Sequence, residues 1–192
     1  MTSVEQAFAK NQATSDKLKY ADFYRRQFAG LRPRLLLEIG VLNGGSLRAW
    51  QDIFPSARVV GIDINPEIKA SYPDLDIFIG DQKDTAFLDA VVRETGIPDI
   101  IIDDGGHRRS QQVESFKHLF PKLNTGGLYV IEDIETSFLE DFNDHDLSAI
   151  EYMTSLVTPT NFTSTKSEPP GRVFHYTAAA IVVEPNVCLV RK

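Results

Sequence analysis

The sequence predicts an α/β fold with a mostly parallel, seven-stranded sheet, helices on both of its faces and an antiparallel hairpin at its C-terminal end. Five short apolar runs alternate with segments of helical periodicity, which is the pattern of parallel strands joined by crossover helices. A polar segment with adjacent prolines and then a β-rich stretch follow them. Because 192 residues suffice for one domain with a substantial core but not for two, a single domain, residues 1–192, is expected.

The N-terminal segment, about residues 1–33, is predicted to be helical. From Lys17 to Leu31, apolar and aromatic side chains recur at three- and four-residue spacings, which are typical of an amphipathic helix. Gly30 and Pro33 are residue types that end helices. One helix is therefore expected ahead of the first strand.

The five apolar runs are predicted to be parallel strands, because their apolar residues are consecutive, as burial on both faces of a sheet requires. They are residues 34–40, 57–64, 75–81, 98–104 and 127–133. Helices are predicted between them at 46–54, 84–95 and 110–120. After a polar loop at 158–172, Glu184-Pro185-Asn186 predicts a turn between two antiparallel strands.

Composition restricts the class of protein. Hydrophobic residues make up 42% and charged residues 24%, which disfavours disorder and membrane spans. A formal net charge of -7 disfavours a nucleic-acid partner. The polar N-terminus does not resemble a secretory signal, and the lone Cys188 excludes an internal disulfide. We expect a cytoplasmic protein with neither membrane nor nucleic-acid partners; homo-oligomer formation is left open.

The turn after the first strand has the features of a ligand-binding loop. Gly40, Gly44 and Gly45 permit close backbone approach, and the next helix would offer its N-terminal N–H groups to a carboxylate or phosphate. The dinucleotide pattern G-x-G-x-x-G would need glycine where Leu42 stands, which weakens that interpretation without excluding it.

The next two strands end in side chains suited to a nucleoside. Asp63 follows the glycine turn by a little over 20 residues, where an acid that binds a ribose diol is expected. Asp81-Gln82 ends the third strand and would suit an adenine edge. Each could be a helix cap or a turn residue, but polar groups at three consecutive strand ends favour a nucleoside site.

The fourth and fifth strands end in acids. Asp104 and His107 are three residues apart in a turn, so their side chains can point the same way. Glu132-Asp133 ends the neighbouring strand, and such like charges need a cation, for which oxygen ligands favour Mg²⁺, Mn²⁺ or Ca²⁺ over zinc. Because adjacent strand residues face opposite ways, Glu132 and Asp133 could share a metal only if the strand end bends. The alternative is that these acids are caps and solvated loop charges.

His107 is predicted to be a general base beside the cation. An unperturbed imidazole has a pKa near 6.5, about right for accepting a proton at neutral pH. The alternative is a structural histidine, the interpretation preferred for His118; His145 and His175 belong to no motif.

Three strings, "LLEIGVLNGGSL", "GIDINP" and "GDQ", resemble class I S-adenosylmethionine-dependent methyltransferases. The resemblance implies the Rossmann-like class I methyltransferase fold and S-adenosylmethionine as cofactor. It places the first acid and the glycine turn at the methionine part, and the second acid at the ribose. The cofactor-binding residues expected on this basis are Glu38, Gly40, Asn43, Ser46, Asp63, Ile64, Asp81, Gln82 and Asp103.

Residues 14–138, and 103–107 and 132–137 above all, are similar to a narrower family. It comprises the metal-dependent sugar O-methyltransferases of macrolide antibiotic biosynthesis, of mycinamicin and tylosin type, related to the cephalosporin hydroxylase group. The resemblance implies that His107 is the base and that Mg²⁺ is bound by Asp104, Glu132 and Asp133. Gly106 and Phe138 stand where the family usually has serine and often tyrosine, which leaves local substrate contacts open.

These features together predict a Mg²⁺-dependent O-methyltransferase acting on a hydroxyl of a sugar or glycosylated small molecule. Residues 135–172 are expected to form a lid over the acceptor, and the resemblance implies that Ser15-Asp16-Lys17 folds over the cofactor. Two alternatives stay open. One is a nicotinamide-dependent oxidoreductase, and the other is a catalytically inactive cofactor-binding module that serves as a partner subunit.

Overall fold

The computed structural model describes residues 3–13, 15–157 and 178–192. Its strands are β1 Leu35–Ile39, β2 Arg58–Asp63, β3 Asp76–Ile79, β4 Ile100–Asp103, β5 Leu128–Glu132, β6 Ala180–Glu184 and β7 Val187–Arg191. They form one seven-stranded sheet in the order β3-β2-β1-β4-β5-β7-β6. The pairs among β1 to β5 are parallel, and the pairs that include β7 are antiparallel. The predicted fold class, with its C-terminal hairpin, is confirmed.

The helices are α1 Val4–Lys10, α2 Ser15–Lys19, α3 Ala21–Gln27, α4 Gly45–Ile53, α5 Pro66–Ser71, α6 Thr85–Thr95, α7 Arg109–Leu119 and α8 Ala149–Val157. Short 3₁₀ turns occupy Phe120–Lys122, Ile134–Phe138 and Glu140–Phe142. The three helices predicted between strands are confirmed as α4, α6 and α7. The single helix predicted from Lys17 to Leu31 is wrong in its bounds, because the chain breaks at Tyr20 between α2 and α3.

Two helices escape the periodicity analysis. All residues of α5 are at least partly exposed, so it has no apolar stripe that a sequence pattern would reveal. Its start comes instead from Asn65, whose side chain caps the helix, and from Pro66 in the first turn. The other, α8, lies in the segment predicted to be a lid, and the polar loop at 158–172 lies outside the described residues.

Alternation along the strands divides the core between the two faces of the sheet. Leu36, Ile102 and Val130 face one side, where they meet α1, α3 and α4, and their neighbours Leu37, Ile101 and Tyr129 face the other, towards α6, α7 and α8. The first side is filled by an aromatic cluster. The ring of Trp50 meets that of Phe8 at 5.0 Å and that of Tyr24 at 4.9 Å, both nearly edge to face. This cluster fixes the N-terminal helices against the sheet.

The parallel strands all run to the same edge of the sheet, so the loops after β1 to β5 meet there. Within the described ranges, no helix has the length and apolar character needed to cross a membrane. The single domain spanning residues 1–192 stays a prediction.

We expect Phe8→Ala to lower the free energy of unfolding by about 3–5 kcal/mol, because the side chain is fully buried and its removal leaves a cavity beside Trp50. Leu18→Ala, at a side chain 45% exposed on α2, is the control and should change it by no more than about 0.5 kcal/mol. Urea unfolding followed by tryptophan fluorescence measures both. An equal decrease in the free energy of unfolding for both variants would contradict the packing role of the aromatic cluster.

Candidate functional site

A cleft of about 400 Å³ lies at the carboxyl edge of the parallel strands. Most of the residues that the sequence singles out line this cleft: Gly40, Asn43, Ser46, Asp63, Ile64, Asp81, Gln82, Asp104, His107 and Asp133. The other three, Glu38, Asp103 and Glu132, are almost fully buried. The prediction of a site at this edge therefore coincides with the cleft, but three of the predicted acids lie inside the protein.

A close contact between two backbone segments requires glycine at position 40. Its φ is 89°, and a Cβ added there would lie 2.0 Å from the carbonyl oxygen of Asp104. A side chain at this position would push the loop after β1 away from the loop after β4. The glycine thus brings the two loops that carry Asn43 and Asp104 together.

Asp63 holds the floor of the cleft. Its Oδ2 accepts hydrogen bonds from the backbone N–H groups of Val41 at 2.9 Å and Leu42 at 3.3 Å, and its Oδ1 accepts one from Asn65 at 2.8 Å. A carboxylate has about four acceptor positions, so it can also accept from a ligand hydroxyl. Ile64 beside it is 67% exposed and offers an apolar surface to the cleft.

Glu38, behind the cleft wall, and Gln82, in the wall, hold other parts of the site in place. The Oε2 of Glu38 accepts a hydrogen bond from Ser46 Oγ at 2.8 Å, so the acid orients a serine that does line the cleft. Gln82 accepts from the backbone N–H of Gly106 at 2.7 Å and donates to Asp103 at 3.1 Å. The latter two bonds tie the loop after β3 to the loop after β4.

Asp103 faces the opposite side of the sheet from Asp104, as neighbours on a strand do. Its carboxylate accepts hydrogen bonds from the hydroxyls of Ser115 and Tyr129 and from Gln82. Burial raises the pKa of Asp103 to about 6, although these donors oppose the rise. This acid therefore links β4 to β5 and α7 beneath the cleft.

Asp104, His107 and Asp133 converge at the rim of the cleft. One ligand atom from each lies within 4.8 Å of the other two, and His107 Nε2 is 3.6 Å from Asp133 Oδ2. Asp133 leaves the strand with a left-handed backbone, φ 52° and ψ 39°, so the strand end does bend there, and the bend presents Asp133 to the rim. Two carboxylates and an imidazole in this arrangement can hold a hard divalent cation.

The hydroxyl of Tyr20 donates to Asp133 Oδ1 at 2.6 Å. Burial and this bond to the acid raise the pKa of Tyr20, which therefore stays protonated as a donor. Since Tyr20 occupies the break between α2 and α3, that break places the hydroxyl over the end of β5. Sequence analysis missed this contact because the two residues are far apart in the chain.

Glu132 turns away from the rim and meets Lys17. The Lys17 ammonium lies 2.6 Å from Glu132 Oε1, 2.9 Å from Glu38 Oε1 and 3.0 Å from Asp104 Oδ2. The Tyr24 hydroxyl also donates to Glu132 Oε1. Burial by itself would lower the pKa of Lys17, but the surrounding carboxylates raise it well above its ordinary value, so the side chain stays cationic.

The chain is 33% identical over 188 residues to 8-demethyl-8-alpha-L-rhamnosyl tetracenomycin-C 2'-O-methyltransferase of Streptomyces olivaceus, covering 90% of this chain and 50% of that protein. It is 39% identical over 132 residues to mycinamicin VI 2''-O-methyltransferase of Micromonospora griseorubida, covering 64% of this chain and 33% of that protein. No family model matches.

Among solved structures, the chain is similar to the MycE methyltransferase of the mycinamycin pathway in complex with Mg, SAH and mycinamycin VI. The TM-score is 0.82 at 28% identity, over 99% of this chain and 53% of that one. The chain thus spans about half the length, or less, of the relatives it matches.

We expect the stability difference between wild type and Asp103→Asn to depend on pH. In the folded chain, the pKa of Asp103 is raised from 3.8 to about 6, so folding favours the protonated acid. Its contribution is present in full below pH 3.8 and is lost as the pH rises through about 6. Urea unfolding between pH 4 and pH 7 should show the free energy of unfolding of wild type falling by roughly 2–3 kcal/mol relative to the variant. If the free energies of unfolding of wild type and variant change in parallel with pH, the pKa of Asp103 is not raised by folding.

Proposed function

The chain belongs to the family of sugar O-methyltransferases that includes the tetracenomycin and mycinamicin enzymes, and from this premise we propose that it methylates a hydroxyl of a sugar or glycosylated small molecule. S-adenosylmethionine would be the methyl donor and Mg²⁺ the cation. The observation that carries the proposal is the convergence of Asp104, His107 and Asp133 at the rim of a cleft at the carboxyl edge of the sheet. The cytoplasmic location stays a prediction.

The rim has the donor set that a magnesium ion prefers. Asp104 and Asp133 supply carboxylate oxygens, each partly exposed to the cleft, and three acids, Glu38, Asp104 and Glu132, contact the ammonium group of Lys17. This excess of negative charge favours binding of a further cation. We propose that Asp104, Glu132 and Asp133 are the ligands, as the sequence predicts, with His107 as the base beside them; Glu132, the buried one of the three, contacts Lys17 in this structure.

The cleft is large enough for a nucleoside cofactor and offers matching groups. Asp63 would accept the ribose hydroxyls, with Ile64 beside them, and Asp81 would face the adenine. Asn43 and Ser46, at the start of α4, would hold the methionine end. Leu42, in the place of the second glycine of a dinucleotide motif, makes the nicotinamide alternative the weaker one.

When bound, S-adenosylmethionine supplies an electrophilic methyl group, and the cation lowers the pKa of an acceptor hydroxyl. His107 would accept and hold the proton that this hydroxyl gives up when its oxygen takes the methyl group. The Oδ2 of Asp133 lies 3.6 Å from His107 Nε2, so this carboxylate faces the imidazole ring. Tyr20 keeps that carboxylate oriented by donating to its other oxygen.

The acceptor would lie between the rim and the segment that follows Asp133. Phe138 is 71% exposed there and Leu139 also faces solvent, so an acceptor with an apolar part would find contact surface. We propose that residues 135–172 cover the acceptor, as a lid. Residues 158–172 of this segment lie outside the described part of the chain.

We expect His107→Ala to lower kcat by about 10²–10⁴-fold, because the acceptor hydroxyl loses its base. Methyl transfer from labelled S-adenosylmethionine to a panel of glycosides measures the rate, and chelation of Mg²⁺ should abolish it in wild type. His118→Ala is the matched control, since that ring bonds Asp89 at 2.9 Å, away from the cleft. Activity that survives both chelator and His107→Ala would defeat the proposal.

Cofactor binding should depend on Asp63. We expect Asp63→Ala to weaken calorimetric binding of S-adenosylmethionine by about 10- to 100-fold, because hydrogen bonds to a charged acceptor are lost. Asp74→Ala, which removes a surface partner of Arg48, is the control and should bind as wild type does. Undiminished binding by Asp63→Ala would place the ribose elsewhere.

A further inference from the structure

Gly106, in the loop after β4, makes room for the side chain of Gln111. A Cβ added at position 106 would lie 2.2 Å from Nε2 of Gln111 and 2.3 Å from both Cδ and Oε1. Because these three distances are nearly equal, the flat face of the amide lies against Gly106. The φ of Gly106 is not positive, so what glycine provides here is space and not a special backbone. The amide of Gln111 thus occupies the place of a side chain at position 106.

The amide of Gln111 is bonded to the protein at one end. Its Oε1 accepts a hydrogen bond from the backbone N–H of Arg108 at 3.2 Å, which caps α7. Within the described residues, its Nε2 donates to no protein acceptor. Gln111 is partly exposed and lines the cleft. The helix cap therefore holds an N–H donor in the cleft wall.

The neighbours of Gln111 place its amide at the end of the cleft where we propose that the adenine lies. The N–H of Gly106 donates to Gln82 Oε1 at 2.7 Å, and Gln82 directly follows Asp81, which would face the adenine. The amide of Gln82 also donates to the buried carboxylate of Asp103 at 3.1 Å, so both of its ends bond protein groups. Gln111 brings to the same end an amide whose donor is not used by the protein.

The order of the strands puts Gln111 across the cleft from Ile64. β1 lies between β2 and β4, so a flat base above the end of β1 would be flanked by the loops that follow β2 and β4. Ile64 in the first loop is 67% exposed and offers an apolar surface. Gln111, over Gly106, closes the other side. Adenine has ring nitrogens that accept hydrogen bonds, and a glutamine amide is a favoured partner for them.

We infer that Gln111 is a specificity-determining residue for the cofactor: its Nε2 donates to a ring nitrogen of the adenine, in a space that Gly106 leaves open. The inference rests on the proposed function and deepens it. Neither residue is among the cofactor-binding residues that the sequence predicts. Since the family usually has serine at position 106, this contact would distinguish the chain from its relatives.

Titration calorimetry of the whole chain with S-adenosylhomocysteine separates this role from helix capping. Gln111→Glu keeps an oxygen that accepts the Arg108 N–H but removes the donor, so we expect its affinity to fall about 10-fold without a lower melting temperature. Gln111→Ala should lose a similar factor. Gln6→Ala is the matched control, because Gln6 makes the same kind of cap on α1 and does not line the cleft. If Gln111→Glu binds as wild type does, Gln111 is a helix cap alone and the inference is wrong.

Gly106→Ala tests the space that the amide needs. Its Cβ would displace the amide, so we expect an affinity for S-adenosylhomocysteine about as low as that of Gln111→Ala. The double variant should bind no more weakly than either single variant, because both changes remove the same contact. Losses that add up in the double variant would show that the two residues act separately, contrary to the inference.

Methylthioadenosine, which has the adenine but no amino acid part, shows which part of the cofactor Gln111 contacts. Gln111→Ala should weaken its binding by the same factor as that of S-adenosylhomocysteine. A loss seen with S-adenosylhomocysteine alone would place Gln111 at the methionine end and overturn the inference. Wild type that binds neither compound would overturn the proposed cofactor as well, whereas variants that bind both compounds as wild type does would overturn the inference alone.

Discussion

The ammonium of Lys17 among the carboxylates of Glu38, Asp104 and Glu132 is the interaction on which the site depends. Glu38 and Glu132 are almost fully buried, and burying carboxylates is costly unless a counter-charge and hydrogen bonds compensate. Lys17 supplies the counter-charge, and the hydroxyls of Ser46 and Tyr24 supply the bonds. Since Lys17 is on α2, the same contacts fasten the N-terminal helices to the ends of three strands.

The aromatic cluster and the ion cluster support each other. Tyr24 belongs to both, because its ring packs against Trp50 and its hydroxyl donates to Glu132. The apolar packing holds α3 at the distance from which that hydroxyl reaches the acid, and it excludes the water that would weaken the ion pairs. Packing and electrostatics thus fix one geometry at the edge of the sheet.

Each pair of adjacent acids is divided by the geometry of a strand. Asp103 and Asp104 face opposite sides, so that one bonds Ser115 and Tyr129 in the core and the other reaches the cleft. In the second pair, the left-handed turn at Asp133 presents it to the rim, and Glu132 stays inside. Each pair of acids at a strand end therefore places one carboxylate in the interior and one at the cleft.

The sequence by itself determined the order of strands and helices, the hairpin, and the edge of the sheet where polar groups gather, because runs of apolar residues and the ends of those runs are local properties. It also determined that Asp63, Asp104 and His107 belong to that edge. Only the tertiary structure decided the break at Tyr20, the partner of Lys17 and the division between Glu132 and Asp133. Those depend on contacts between residues more than a hundred positions apart, such as Lys17 with Glu132, and a local pattern holds no information about which charges folding will bury together.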